Sequence, residues 1–175
     1  MDLKKLYCIS LYSHDFQKVL FVGEKKLHNT ESFKTEKEVL QRFKEIIQNY
    51  DPDIITGWNV IDFDLKLLHD KFKENKVEFN LGRTEWPCAI KTYESFFKDS
   101  TADFPGRIIL DGIHLLRISF IGLTDYKLET AGREILGEGK LNVFENVDKG
   151  AEIERLYEKE PQKLVDYNLK DSELV

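Results

Sequence analysis

Two short segments of the sequence place acidic, phenolic and amide side chains at regular spacings. The first holds Asn59, Phe63 and Asp64 just after an apolar run, and the second holds Tyr167 and Asp171. Because Tyr167 and Asp171 are four residues apart, they share one face of a predicted helix. A carboxylate on that face can bind a metal ion while the phenol orients an attacking water. These residue types therefore indicate metal-assisted hydrolysis of a phosphodiester.

The first segment is predicted to lie where a strand passes into a helix. The apolar run Ile54–Thr56 is typical of a buried strand, and a helix is predicted to begin near Asp62. Its inward-facing residues are expected to include Phe63 and Phe72. Binding sites in α/β sheets gather at the carboxyl ends of the strands. The turn after this strand is therefore in the right place for a site.

The rest of the chain predicts a mixed α/β fold. Leu6–Tyr12 and Lys18–Val22 look like the strands of a hairpin, and 36–50 is an amphipathic helix behind a capping box of Thr35 and Glu38. Two antiparallel strands followed by β-α-β alternation indicate an α/β domain with a mixed sheet. One more buried strand and four more helices are predicted, at 107–111 and at 113–119, 127–136, 150–159 and 162–174.

The length and composition fit one domain. The chain has 175 residues, of which 41% are hydrophobic and 33% charged, which is enough for one core. Residues 79–105 are predicted to form an insertion or a long loop. No apolar run approaches the length of a membrane span, and the isolated Cys8 and Cys88 fit a reduced interior. We therefore expect a single cytoplasmic domain over 1–175 that contacts no membrane.

The net charge of −6 bears on the class of ligand. It argues against binding nucleic acid by bulk electrostatics alone, because proteins that do so are usually basic. A metal site, in contrast, needs carboxylates, and bound cations reverse the local sign of the potential. An ordinary acidic cytoplasmic protein carries the same charge, so the charge alone does not separate these alternatives.

Both segments resemble motifs of a known family. Asn59-x-x-x-Phe63-Asp64 resembles the second exonuclease motif of family-B DNA polymerases, and Tyr167-x-x-x-Asp171 resembles the third. The two motifs in this order form a more specific signal than either motif alone. Further blocks resemble the bacterial DNA polymerase II branch of the family, so that the resemblance spans nearly the whole chain: Tyr50–Leu65, Ile109–Ile113, Leu136–Lys140 and Tyr167–Val175.

This resemblance implies a ribonuclease-H-like (DnaQ-like) exonuclease fold, with a mixed sheet flanked by helices, and hydrolysis assisted by two divalent metal ions, Mg²⁺ or Mn²⁺. It makes Asp64 and Asp171 metal ligands and makes Tyr167 the residue that positions the attacking water. Asn59 and Phe63 match residues near the 3′-terminal nucleotide, where an aromatic ring can stack on a base. The implied partners are the 3′ end of single-stranded DNA and a downstream polymerase domain.

One part of the family pattern has no match in this sequence. The family's Asp-x-Glu motif supplies two further carboxylates from the first strand, and no Asp-x-Glu precedes Leu6. We therefore expect a domain truncated at both ends, with an incomplete metal site. At an effective dielectric constant of about 20, two divalent cations ~4 Å apart repel by about 17 kcal/mol. Two carboxylates do not offset this repulsion, so the chain as written is expected to be nearly inactive.

The missing first strand also bears on the sheet, because this strand is central in the implied fold. The apolar burial that it contributes is comparable to the whole free energy of unfolding of a domain. We therefore expect a sheet that is split, re-paired, or completed by self-association with a neighbouring chain.

Each candidate residue also has a structural interpretation. Asp64 alone fits a solvated or capping carboxylate, Phe63 fits a core residue, and Tyr167 fits a buried helical aromatic. Asn59 fits capping of the turn as well as substrate binding. Asp111, at the end of a strand, is predicted to be the N-cap of a helix.

The segment Gly137–Lys140 is predicted to be a glycine-rich helix exit in preference to a phosphate contact.

The predicted function of the chain is that of a metal-dependent 3′→5′ proofreading DNA exonuclease domain of a family-B DNA polymerase. Two alternatives stay open. One is a stand-alone oligonucleotide exonuclease of the same superfamily, which a polymerase domain downstream in the gene would exclude. The other is a catalytically silent DNA-binding module, which an Asp-x-Glu motif in the full reading frame would exclude.

Overall fold

Two compact units make up the chain. The first comprises Met1–Val39 and Leu123–Leu174, and the second comprises Leu40–Gly122 and Val175. Two compact units are compatible with one domain or with two, so the single domain over 1–175 stays a prediction. The structure is a computed structural model that describes residues 5–93, 98–141 and 148–175.

Strands and helices alternate largely in the predicted order. The strands are β1 Cys8–Tyr12, β2 Gln17–Val22, β3 Thr30–Phe33, β4 Ile54–Gly57, β5 Ala89–Lys91, β6 Thr101–Asp103 and β7 Ile108–Asp111. The helices are α1 Glu36–Tyr50, α2 Lys66–Glu74, α3 Gly112–Ile118, α4 Leu128–Ala131, α5 Lys149–Lys159 and α6 Pro161–Glu173. Two π-helical turns, Val60–Leu65 and Gly132–Leu136, lie before α2 and after α4. The sequence did not predict β3, β5 and β6, because strands of three or four residues carry little periodic signal.

The first unit contains a three-stranded sheet in the order β1-β2-β3. Strands β1 and β2 are antiparallel, with Ser10 opposite Val19, so the predicted hairpin is confirmed. Strand β3 adds to the other edge of β2 in a parallel direction, with Val19 opposite Thr30. Apolar side chains of β2 are fully buried and form part of the core of this unit, among them Val19, Leu20 and Phe21.

The second unit contains two two-stranded sheets. Strands β4 and β7 are parallel, with Ile54 opposite Ile108 and Gly57 opposite Asp111. Strands β5 and β6 pair antiparallel inside 79–105, the range predicted to be an insertion or a long loop. This range therefore contains a short β-structure as well as irregular backbone; its residues 94–97 lie outside the described part.

The predicted mixed α/β architecture is confirmed, since both units combine small sheets with helices. Over the described residues the strands form three separate sheets, which agrees with the prediction of a split sheet. The ribonuclease-H-like arrangement of these elements stays a prediction.

The prediction that β4 and β7 are buried is wrong at their first residues. The side chains of Ile54 and Ile108 are 51% and 57% exposed. They are register partners in a sheet of two strands, so they lie side by side on one face of it. Apolar runs predict burial because parallel sheets are normally covered on both faces, and this small sheet leaves one face open.

Helix α1 covers the range predicted for it, and its capping box forms as predicted. The backbone N–H of Glu38 donates to Oγ1 of Thr35 at 3.2 Å, and that of Thr35 donates to Oε2 of Glu38 at 3.0 Å. The apolar face of the helix is buried, with Val39 and Leu40 inaccessible to solvent. Local capping and helical periodicity are therefore sufficient to locate this helix.

The C-terminal end of α1 is held by the buried side chain of Arg107. Its guanidinium donates to the carbonyl oxygens of Ile47 at 3.2 Å, Leu81 at 2.8 Å and Pro52 at 2.5 Å. It also pairs with Asp51 at 2.9 Å. One of these acceptors, the carbonyl of Ile47, lies in the last helical turn and also accepts from the backbone N–H of Asp51 at 3.1 Å. Arg107 thereby fixes the chain between α1 and β4, which leads to the first candidate segment.

None of the described helices has both the length and the hydropathy required to cross a membrane.

Candidate functional site

The first candidate segment is the turn that follows β4 in the second unit. Asn59 has a left-handed backbone conformation (φ +57°), and the π-helical turn Val60–Leu65 begins directly after it. Asn is one of the few residues that adopt this conformation at low cost. The turn buries Val60, Ile61 and Leu65 and leaves the residues between them exposed, including Phe63 and Asp64.

Phe63 is not part of the core, contrary to the inward orientation predicted for it. Its side chain is 42% exposed. The prediction assumed the 3.6-residue period of an α-helix, whereas a π-helical turn is wider and moves the following residues to another face. Phe63 is therefore accessible to a ligand, as is the neighbouring carboxylate of Asp64.

The side chain of Asn59 does not cap the turn that it precedes. Asn59 occupies the N-cap position, yet none of the backbone N–H groups of the turn donates to its side chain. The capping interpretation of this side chain is therefore wrong. Asn59 is half-buried, and its amide takes no part in capping.

Tight backbone packing explains two glycines next to this turn. A Cβ at Gly57 would lie 2.7 Å from Cβ of Val60, and a Cβ at Gly112 would lie 2.8 Å from the ring of Trp58. Both distances are shorter than side-chain contacts allow. Glycine at both positions lets the ends of β4 and β7 approach the turn that carries Phe63.

The second candidate segment lies on α6, in the first unit. Tyr167 and Asp171 share one face of this helix, as their spacing predicts, and Lys140 contacts both of them. The ammonium group of Lys140 donates to Oδ2 of Asp171 at 2.6 Å and to the hydroxyl oxygen of Tyr167 at 3.3 Å. The ion pair is only about one-quarter exposed on each side. A phenol, a carboxylate and an ammonium group therefore form one cluster.

The surroundings of Tyr167 keep its phenol protonated. Burial and the neighbouring carboxylate of Asp171 raise the pKa of Tyr167 well above its usual range. At neutral pH the phenol can donate or accept a hydrogen bond but cannot act as a phenolate base. This state suits a residue that orients water.

Asp171 has one oxygen in use and one without a partner. Oδ2 pairs with Lys140, whereas Oδ1 is buried and has no hydrogen-bond partner among the described residues. Buried polar atoms are normally paired, and a water or a cation can complete the pairing of this oxygen. A carboxylate oxygen is the donor that hard cations such as Mg²⁺ and Mn²⁺ prefer.

Strand β1 holds α6 in place through polar contacts. The hydroxyl of Ser10 donates to the carbonyl oxygen of Asn168 at 3.0 Å, and it also contacts the hydroxyl of Ser172. The side-chain amide of Asn168 donates to Sγ of Cys8 at 3.2 Å. An apolar cluster beside these contacts contains Val165 of the same helix. Tyr167 and Asp171 thus lie on a helix that is fixed to the sheet of its own unit.

Lys140 is the site residue that the sequence interpretation missed. Gly137 has φ +72° and ends the π-helical turn Gly132–Leu136, so the predicted helix exit is confirmed. The exit leads directly to Lys140, whose backbone N–H donates to Oε2 of Glu129 at 2.6 Å. The only signal for this residue is its place at the end of the block Leu136–Lys140.

The predicted ligands Asp64 and Asp171 belong to different units. The described residues contain no group of three or more His, Cys, Asp or Glu side chains that is arranged to hold a metal ion. The donors present are carboxylate oxygens, which fit Mg²⁺ or Mn²⁺, but the two-metal site stays a prediction. The catalytic and substrate-binding roles of Asn59, Phe63, Asp64, Tyr167 and Asp171 stay predictions as well.

Comparison with known proteins identifies several relatives of the chain. It is 35% identical to DNA polymerase II of Escherichia coli (strain K12) over 179 residues, which cover 98% of this chain and 22% of that protein. It is 30% identical to the DNA polymerase delta catalytic subunit of Caenorhabditis elegans over 148 residues, or 79% of this chain and 13% of that protein. A DNA polymerase of Desulfurococcus sp. (strain Tok) is 33% identical over 114 residues, which cover 65% of this chain and 14% of that protein. The chain therefore spans less than a quarter of the length of these relatives.

A family model gives the same result. The model described as "DNA polymerase family B, exonuclease domain" matches residues 8–131, which include the turn with Asn59 and Asp64. The match covers well over half of the chain, and the relative from E. coli covers the remainder almost completely. The chain belongs to the exonuclease-domain family of family-B DNA polymerases.

Proposed function

We propose that this chain is a 3′→5′ proofreading exonuclease domain of a family-B DNA polymerase and removes nucleotides from the 3′ end of single-stranded DNA with the help of divalent metal ions. The observation that carries the proposal is the cluster of Lys140, Tyr167 and Asp171, in which one buried carboxylate oxygen has no partner among the described residues. Membership of the exonuclease family and the exposed Asp64 beside Phe63 support it.

Asp171, through Oδ1, and Asp64 are the residues that would hold the metal ions. When bound, Mg²⁺ or Mn²⁺ supplies a Lewis acid that stabilises charge on the phosphate and lowers the pKa of water. The contact of Oδ2 with Lys140 at 2.6 Å supports this role, because it leaves Oδ1 as the oxygen that would face the metal ion. The exposed carboxylate of Asp64 needs no rearrangement of the core to reach a ligand.

Tyr167 would orient the attacking water through its hydroxyl group. Because burial and Asp171 raise its pKa, the phenol keeps its proton throughout the neutral range. It therefore positions the water by hydrogen bonding and does not remove the proton from it. Lys140 fixes the phenol relative to Asp171, since one ammonium group contacts both side chains.

Asn59 and Phe63 would contact the terminal nucleotide. Phe63 is 42% exposed, and an exposed aromatic ring stacks on any of the four bases. The side-chain amide of Asn59 takes no part in capping, so it can hydrogen-bond to a sugar or a base. A proofreading site needs such contacts to be tolerant of sequence, and stacking meets this requirement.

The relatives favour a polymerase-linked exonuclease over a stand-alone oligonucleotide exonuclease. Each of the relatives described above is named as a DNA polymerase or its catalytic subunit and is several times longer than this chain. A polymerase domain and the 3′ end of DNA are therefore the proposed partners. Strand-completing self-association and a cytoplasmic location stay predictions.

By itself, the chain is proposed to turn over slowly. The two candidate ligands carry two negative charges, against the four positive charges of two divalent cations. Two bound cations would therefore keep a net charge of +2, and two carboxylates would hold them less tightly than the four carboxylates of the family pattern.

The test is degradation of a 3′-labelled single-stranded DNA in the presence of Mg²⁺ or Mn²⁺. It compares this chain with the protein expressed from its full natural reading frame, and each with its Asp64→Ala and Asp171→Ala variants. We expect 3′→5′ cleavage by the full-length protein, loss of cleavage in both variants, and little cleavage by this chain.

Two results would contradict parts of the proposal. Metal-dependent cleavage by this chain that Asp64→Ala abolishes would refute its inactivity and leave the exonuclease assignment intact. No cleavage by the full-length protein, together with retained DNA binding, would favour the catalytically silent module.

A further inference from the structure

Asp111 is a buried carboxylate at the end of β7, next to the candidate turn. Its side chain is 3% exposed, and both of its oxygens accept hydrogen bonds from backbone N–H groups. Oδ1 accepts from Ile113 at 3.0 Å, as expected for the N-cap of α3. Oδ2 accepts from Ile61 at 3.2 Å, across fifty residues of sequence. The sequence predicted the first contact and not the second.

The contact with Ile61 supplies a cap that the π-helical turn otherwise lacks. The first N–H groups of any helical turn have no partner within it, and the side chain of the N-cap residue usually accepts from one of them. Here the N-cap residue is Asn59, whose side chain accepts none of these hydrogen bonds. Asp111, on a different strand, takes over this role for the second residue of the turn.

The pairing of β4 with β7 brings Asp111 to this position. Gly57, the last residue of β4, is the register partner of Asp111. The chain passes from Gly57 through Trp58 to the turn, and a Cβ at Gly112 would collide with Trp58 at 2.8 Å. Asp111 therefore binds the turn from the neighbouring strand at a point where the backbones are closely packed.

We propose that Asp111 is a positioning residue of the exonuclease site: it holds the π-helical turn in the geometry that presents Phe63 and Asp64, and it frees the side chain of Asn59 for the substrate. Its consequence for catalysis rests on the proposed function, whereas the contact itself does not. Outer contacts that orient metal-binding carboxylates commonly change metal affinity or activity about 10- to 100-fold when they are removed.

A carboxylate is required because both partners are donors. Asn in place of Asp111 has a single acceptor oxygen, so its NH₂ group would face one of the two N–H groups. Ser has one oxygen on a short side chain and is a good N-cap. Ser at this position is therefore expected to keep the hydrogen bond to Ile113 and to lose the one to Ile61, which separates the two roles of Asp111.

The test measures amide hydrogen exchange residue by residue in this chain and in its Asp111→Ser and Asp111→Asn variants. In Asp111→Ser, we expect the exchange of the Ile61 amide to become about 10- to 100-fold faster, as loss of a hydrogen bond to a charged acceptor implies, while Ile113 keeps its protection. In the full-length protein, we expect kcat for 3′-end cleavage to fall about 10- to 100-fold and KM for DNA to rise, because the same turn carries Asn59 and Phe63.

A purely structural N-cap would give a different pattern. If Ile61 exchanges in Asp111→Ser as it does in the native chain, or if exchange accelerates evenly over the whole second unit, the inference is overturned. Asp111→Asn provides the same comparison in a side chain of native size if Asp111→Ser does not fold. Failure of the native full-length protein to cut DNA would overturn the proposed function, while the exchange of Ile61 would still decide the role of Asp111.

Discussion

At the scale of single residues, the ammonium group of Lys140 joins the two motif residues of α6. It lies 2.6 Å from Asp171 and 3.3 Å from the hydroxyl of Tyr167. The spacing of Tyr167 and Asp171 places them on one face, where they also interact directly, and the ammonium group adds a donor that both side chains share. The arrangement of the two proposed catalytic side chains therefore depends on three residues.

Replacing Lys140 by Met tests this role. Lys140→Met keeps the apolar stem of the side chain and removes the charge, so Tyr167 and Asp171 lose their common donor. We expect kcat of the full-length protein for 3′-end cleavage to fall about 10- to 100-fold, as for other residues that orient metal ligands. Steady-state kinetics on a labelled single-stranded DNA measures the change.

The matched control is Lys170→Met, which removes the same charge from the same unit. Lys170 pairs with Glu138 at 2.6 Å and Glu173 at 3.0 Å. We expect its kcat to stay within about threefold of the native value, since both carboxylates that pair with Lys170 are largely exposed, at 60% and 45%, and such ion pairs contribute little. Equal losses in the two variants would show that Lys140 acts only through the net charge.

At the scale of secondary-structure elements, the packing of β1 against α6 carries the second candidate segment. The thiol of Cys8 lies in this contact, where it accepts a hydrogen bond from Asn168 at 3.2 Å and packs beside the cluster of Val19, Phe21 and Val165. Burial raises the pKa of the Cys8 thiol from 9.0 to about 12. The packing of β1 against α6 therefore favours the neutral thiol of Cys8 over its thiolate.

The raised pKa predicts how stability depends on pH. At pH values well below 9.0 the thiol is protonated in both the folded and the unfolded chain, so it adds no pH dependence. Between about pH 9 and 12 the unfolded chain releases this proton and the folded chain retains it, so the free energy of unfolding falls as the pH rises. Urea unfolding of this chain at a series of pH values from 8 to about 11 measures the slope.

Cys8→Ser and Cys8→Ala remove the titrating group and are expected to show the same, shallower slope above about pH 9. Their absolute stabilities will differ, since Ser can still accept from Asn168 and Ala cannot. The comparison of slopes also removes the contributions of Tyr and Lys residues that titrate in the same range. If the free energy of unfolding of both variants falls with pH as steeply as that of the native chain, ionisation of Cys8 is not the cause of the pH dependence.

At the scale of the whole molecule, the net charge of −6 opposes binding of DNA in the absence of metal ions. The proposed site resolves this conflict, because cations held by Asp64 and Asp171 bring positive charge to the place where phosphate must bind. Binding of DNA is therefore expected to depend on divalent metal ions. Replacing the carboxylates that hold these ions should remove this dependence.

Asp171→Asn tests this coupling between metal and DNA. Without metal ions, we expect this variant to bind single-stranded DNA at least as well as the native chain, because it carries one negative charge less. With Mn²⁺, the affinity of the native chain should rise several-fold and that of the variant should not. Fluorescence anisotropy of a labelled oligonucleotide, with and without Mn²⁺, measures both effects.

Asp166→Asn serves as the control, because it removes the same charge from an exposed position on the same helix. Its affinity should keep the native response to Mn²⁺. If Asp171→Asn responds to Mn²⁺ as the native chain does, Asp171 is not a ligand of the metal ions that promote DNA binding.

Local features of the sequence were sufficient for much of this architecture. The capping box and the 3.6-residue period located α1, and Pro161 marked the start of α6 at its first turn. The four-residue spacing placed Tyr167 and Asp171 on one face, and the motifs indicated the exonuclease family that the comparisons confirm. These features depend on residues that are near one another in the chain, so the sequence by itself determines them.

Only the tertiary structure decided which distant residues meet. Lys140 reaches Asp171 across 31 residues and Asp111 caps the turn at Ile61 across 50, and no periodic pattern encodes either contact. The exposure of Phe63 and Ile54 also differs from the prediction. Burial depends on the path of the backbone and on what packs against each face, and here a π-helical turn and a two-stranded sheet change both.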